Sequence, residues 1–61
     1  MTLIYQSDKD SILRITKNPA FIPDVGDYVV IELSVYIVIN RVYFTHSSNI
    51  YINLKFEKYA S

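Results

Sequence analysis

The sequence predicts an all-β fold: a small antiparallel barrel of about five strands, in a single domain spanning residues 1–61. Three observations predict it. Residues 28–59 are dense in Val, Ile, Tyr and Phe and contain neither glycine nor proline, a composition that suits a pleated, half-buried surface. From Ile50 to Glu57 apolar and polar residues alternate with the period of a strand that has one buried face. The only glycine, Gly26, and both prolines, Pro19 and Pro23, stand together just ahead of this region, where they punctuate the chain before the sheet begins.

Taken in order, the first 17 residues are open to two readings. Leu3–Tyr5 and Ile12–Thr16 pair as a hairpin around the polar segment from Gln6 to Ser11, a reading favoured by the β-branched Ile12, Ile15 and Thr16. The alternative is an α+β fold, with one short N-terminal helix over Asp8–Lys17 packed on a three-stranded sheet. Ser7 followed by Asp10 resembles a helix cap, and helical spacing would group Ile12, Leu13 and Ile15. Asn18-Pro19 and Pro23-Asp24-Val25-Gly26-Asp27 then form a structured loop. Three strands follow, at Tyr28–Leu33, Val35–Phe44 and Ile50–Glu57. The first two join tightly near Ser34, and the last two through the polar turn from Thr45 to Asn49. The tail from Lys58 to Ser61 is expected to fray.

Period-two alternation assigns faces. In the last strand Ile50, Ile52, Leu54 and Phe56 form the core set and Tyr51, Asn53, Lys55 and Glu57 the outer set. In the first, Val29, Ile31 and Leu33 are core and Tyr28, Val30 and Glu32 outer. The middle strand is apolar on both sides: Tyr36, Val38, Val42 and Phe44 alternate against Val35, Ile37, Ile39, Arg41 and Tyr43. A bulge near Asn40 and Arg41 would bend this strand round a barrel corner and re-aim its second half. Two outcomes are open for the surplus apolar face. Either the N-terminal hairpin folds over it as a second core layer, or it is an interface, with Ile37, Ile39, Arg41, Tyr43 and Tyr51 as partner-binding residues.

Composition excludes several classes. There is no cysteine and one histidine, His46, so disulfide, thiol and zinc-finger chemistry fall away. Six Lys/Arg balance six Asp/Glu, which gives no overall pull toward nucleic acid or anionic lipid. The apolar region from Tyr28 to Phe44 is interrupted by Glu32, Asn40 and Arg41, and the opening residues lack the pattern of a signal peptide. A cytoplasmic setting without membrane contact is therefore expected.

The stretch Ile22-Pro23-Asp24-Val25-Gly26-Asp27-Tyr28-Val29-Val30-Ile31, followed by Val35-Tyr36-Ile37-Val38 and a final alternating strand, resembles the small SH3-like β-barrel proteins of bacteriophages and mobile elements. The shared pattern covers roughly residues 22–56. The resemblance implies an SH3-like barrel and a binding or accessory role, such as assembly of a virion or inhibition of a host protein in the host cytoplasm. It carries over no catalytic residues.

No residue set meets the requirements of catalysis or of a cofactor. His46 beside Ser47 and Ser48 lacks an orienting carboxylate and an oxyanion site. Asp8-Lys9-Asp10 is similar to the opening of a calcium loop, yet Ile12 stands at the third ligand position and neither the glycine nor the closing glutamate follows. Asp24, Asp27 and Glu32 read as turn residues rather than a metal site, and one glycine is too few for a phosphate cradle. The expected function is thus a non-enzymatic protein-interaction module that docks a partner protein or self-associates. Binding of single-stranded nucleic acid or a nucleotide through Arg41, Tyr43, Tyr51 and Lys55 is the alternative.

Overall fold

The computed structural model describes residues 1–7 and 11–60. Five strands, β1 (Thr2–Ser7), β2 (Ile12–Lys17), β3 (Tyr28–Ile31), β4 (Ser34–Phe44) and β5 (Asn49–Tyr59), form one sheet in the order β2-β1-β5-β4-β3, curled into a half-barrel. The fold is all-β, as the composition predicts. At about 3.3 Å per residue the 11-residue β4 and β5 each run to about 36 Å. Their ribbon therefore sets the 38 Å long axis of the molecule.

The N-terminal segment forms the hairpin rather than the helix: β1 and β2 pair antiparallel from Thr2↔Lys17 to Gln6↔Ile12. The part of the calcium-like segment at residues 8–10 lies outside the described residues. The hairpin does not fold over the sheet as a second layer. It extends the sheet edgewise, because β1 lies beside β5 in register from Thr2↔Asn49 to Ser7↔Leu54. This pair is parallel, a departure from the all-antiparallel expectation. Its cause is topological: β1 joins β5 through the long excursion of β3 and β4, and such a connection can deliver a strand in either direction.

The β3–β4 turn also differs from expectation. β3 stops at Ile31, and Glu32 and Leu33 form the two-residue connection, with Glu32 at φ 57°. Leu33, read as core, is a turn residue with 68% of its surface exposed. The tail is held further than expected, since β5 continues to Tyr59 and the Ala60 amide donates to the Leu33 carbonyl at 2.8 Å.

The inner, concave face carries the core. Leu3, Tyr5, Ile31, Val38, Ile50, Ile52 and Leu54 pack together, with Leu13, Ile22, Val29 and Tyr36 against them. Four strands supply the buried members, and along β5 they alternate strictly as Ile50, Ile52 and Leu54. The expected core residue Phe56 sits at the periphery, edge-on to Tyr36 at 5.9 Å and to Tyr59 at 5.1 Å.

Candidate interaction surfaces

The decisive local feature is a bulge in β4. Val38 pairs with Leu54 and Asn40 with Asn53, which leaves Ile39 as an extra residue with no opposite number. Every side chain after it changes face. Arg41 and Tyr43, opposite Ile52 and Ile50, turn to the inner side, while Val42 and Phe44, opposite Tyr51 and Asn49, turn outward. The bulge anticipated near Asn40 and Arg41 thus falls at Ile39, and Val42 and Phe44, which unbroken alternation would set on the face of Val38, are exposed outer-face residues.

The loop ahead of β3 locks this bulge. Gly26 N–H donates to the Val38 carbonyl and Val38 N–H to the Asp27 carbonyl, both at 2.9 Å. Gly26 adopts φ 95°, a conformation that favours glycine. The Arg41 guanidinium reaches the same loop, donating to the Pro23 carbonyl at 3.2 Å and to Asp24 Oδ1 at 3.1 Å, and it stacks over the Tyr43 ring at 5.8 Å. Asp24 and Asp27 serve the turn itself: Asp27 Oδ2 accepts from the Asp24 amide at 2.8 Å.

The residues singled out from sequence are consequently divided. Ile37 and Tyr51 lie on the outer face, Ile39 is the bulged residue, and Arg41 with Tyr43 is on the inner side against the loop. The alternative set is divided in the same way, since Lys55 lies opposite Ile37 on the outer face and Tyr51 shares that face, apart from Arg41 and Tyr43. Uninterrupted alternation would have placed all of these together, and one inserted residue prevents it.

The outer face holds a different apolar group that strand pairing alone assembles. Ile15, Ile4, Tyr51 and Val42 stand side by side across β2, β1, β5 and β4. Phe44 meets the Tyr51 ring edge-on at 5.1 Å. Ile4, within this row, is only 7% exposed. Beside this row runs a ladder of side-chain amides: Gln6 Nε2 donates to Asn53 Oδ1, and Asn53 Nδ2 to Asn40 Oδ1. Sequence reasoning missed Ile4 and Ile15, because a row across four strands becomes visible only when the β1/β5 register is known.

A second surface opens on the inner side. A groove of about 460 Å³ lies between the two edge strands, lined by Tyr5 of β1, by Arg14 and Thr16 of β2, by Phe21 and Asp27 of the connecting loop, and by Val29 with the strand edge at Tyr28 and Val30 of β3. Burial raises the Tyr5 phenol above its ordinary value of 10, and the nearby Arg14 guanidinium draws it part of the way back.

Among the described residues no cluster of three or more His, Asp or Glu could hold a metal ion, and no helix is long and apolar enough to cross a membrane. The fold and its surfaces define the class, a small all-β half-barrel with an apolar outer face. Comparison with protein-family models, with curated proteins and with solved structures finds no match to this chain.

Proposed function

We propose that this chain is a non-enzymatic protein-interaction module whose outer sheet face associates with a second copy of itself. The observation that carries the reading is the row Ile15–Ile4–Tyr51–Val42, with Phe44 against Tyr51, which lays apolar surface across four adjacent strands on the side away from the core. Contiguous apolar patches of this kind on a small domain mark contact surfaces. A second copy suits the face because the chain carries zero net charge, so two copies approach without repulsion. The fold also gains from it: a domain of this length buries only about 60% of its unfolded surface, and association adds stability by mass action. The resemblance to small barrels of bacteriophages and mobile elements supplies a setting, an accessory or inhibitory protein acting on a host.

Light scattering across a concentration series tests the proposal. The expected result is a mass rising to that of a dimer, and a folded monomer for Val42→Asp and for Ile15→Lys. A wild-type chain that remains monomeric at millimolar concentration overturns it, as does a dimer that survives both substitutions.

A further inference from the structure

The inner groove lies between two strand edges. In the order β2-β1-β5-β4-β3 both β2 and β3 have a neighbour on one side only. The two-residue turn after Ile31 makes Ile31↔Ser34 a hydrogen-bonded pair, and the Val38 bond to Asp27 keeps the same phase. Val29 therefore bonds inward to β4, and the N–H and C=O groups of Tyr28 and Val30 are directed away from the sheet, toward the unpaired edge.

The two edges differ in how they are protected. β2 carries Arg14 and Lys17 and a bulge at Leu13, the charges and irregularity that discourage pairing with another chain. β3 is Tyr-Val-Val-Ile, without charge, proline or bulge. A bare apolar edge offers main-chain bonds, and beside it lies a groove whose 460 Å³ volume is within the range of built ligand sites, about 300–1,000 Å³. Phe21, 74% exposed, supplies an aromatic rim on the loop side, and Val29 is the β3 side chain that faces the groove.

Two charged side chains line the groove: Asp27, whose carboxylate accepts from the Asp24 amide within the loop, and Arg14 on the β2 side, which sets the charge of an occupant there. Among the described residues the cation of Arg41 is paired with Asp24, whereas Arg14 has no carboxylate within ion-pair distance, and it lines the groove beside the Tyr5 and Thr16 side chains. We infer that the groove is a strand-addition site for an extended segment of a partner protein, which pairs with Tyr28 and Val30 as a sixth strand and sets an acidic side chain on Arg14. Up to four backbone hydrogen bonds form along the four-residue edge, over about 13 Å of peptide. The site is at the β3 edge, away from the row Ile15–Ile4–Tyr51–Val42, and is independent of the outer-face association proposed above.

The experiment is a fluorescence-anisotropy titration of a fluorescein-labelled six-residue peptide alternating valine and glutamate. Saturable binding is expected, weakened about tenfold both by Arg14→Ala and by replacing the glutamates with glutamines, in keeping with loss of one charge-assisted contact. N-methylation of the amides that meet β3 should abolish it. Circular dichroism of Arg14→Ala reports whether that variant folds, and the glutamine and N-methyl peptides test the inference on the unaltered chain. Titration of Val42→Asp should give the same affinity as the wild type, which separates this site from the outer face. Absence of binding up to millimolar peptide, or binding indifferent to N-methylation, overturns the inference.

Discussion

The side-chain amide of Gln6 donates to Asn53 Oδ1 at 2.7 Å, across the parallel β1–β5 pair, and Asn53 passes the contact on to Asn40 in β4. Three strands are thereby tied by one continuous amide ladder on the outer face. The ladder satisfies polar groups that would otherwise interrupt an apolar surface. It also holds β1 in one register, since a one-residue slip would carry Leu3 and Tyr5 out of the core.

Asn53→Ala removes both bonds and leaves the amides of Gln6 and Asn40 without their partner. A loss of about 1–3 kcal/mol is expected, and a smaller one, about 0.5–1.5 kcal/mol, for Gln6→Ala. Urea denaturation monitored by tyrosine fluorescence measures both. Equal losses for the two variants would show that Asn53 does not bridge two partners.

Glu32 and Gly26 make opposite predictions. Glu32 occupies the first central position of the β3–β4 turn at φ 57°, where an L-residue costs about 1–2 kcal/mol. Glycine there relieves that cost and gives back about 0.5–1 kcal/mol of it through unfolded-chain entropy. Glu32→Gly should therefore raise stability by about 0.5–1 kcal/mol. At Gly26 a Cβ would meet nothing within 4 Å, so Gly26→Ala is penalised by backbone strain alone at φ 95°. It should lower stability by about 1–2 kcal/mol. Urea midpoints at unchanged slope decide both signs.

Tyr5 predicts a loss of stability in alkali. Burial raises its pKa in the folded chain above the ordinary value of 10, while Arg14 opposes the shift. Above that value the unfolded state gives up its proton first, so it binds fewer protons than the native state and stability falls as pH rises. The contribution is complete below about pH 10 and is lost as pH climbs through the folded value. Thermal melts from pH 8 to 11 should show a shallower alkaline decline for Tyr5→Phe than for the wild type.

Arg41 and Asp24 join the loop to the bulged strand at 3.1 Å, with the carboxylate side chain largely in solvent. Solvent screening limits the coupling of such a pair to about 0.2–1 kcal/mol in a double-mutant cycle with Arg41→Ala and Asp24→Ala. It should shrink further in 1 M salt. Arg41→Ala alone should cost more than Asp24→Ala, because it also releases the Pro23 carbonyl and the face of Tyr43.

Much of the fold could be read from local pattern. The alternation of Ile50, Ile52 and Leu54 against Tyr51, Asn53 and Lys55 identifies the buried face of β5 without reference to any partner strand, because adjacent side chains in a strand must point to opposite sides. The β-branched residues of β2 marked it as a strand, and the crowded Pro, Gly and Asp residues marked the loop that precedes β3. Composition alone likewise removed thiol and disulfide chemistry, since the side chains they need are missing from the chain.

What the tertiary structure decided was how these strands meet. Nothing local in Val38-Ile39-Asn40 dictates that Ile39 is the unmatched residue; the bulge depends on Leu54 and Asn53 opposite and on the loop bonds to Val38. That single register shift moved Arg41 and Tyr43 inward and Val42 and Phe44 outward. The parallel union of β1 with β5 is equally nonlocal, and it alone places Ile4 and Ile15 in line with Tyr51 and leaves β3 at an open edge. Strand identity follows from neighbours along the chain, whereas register, strand order and shared faces depend on contacts between residues distant in sequence.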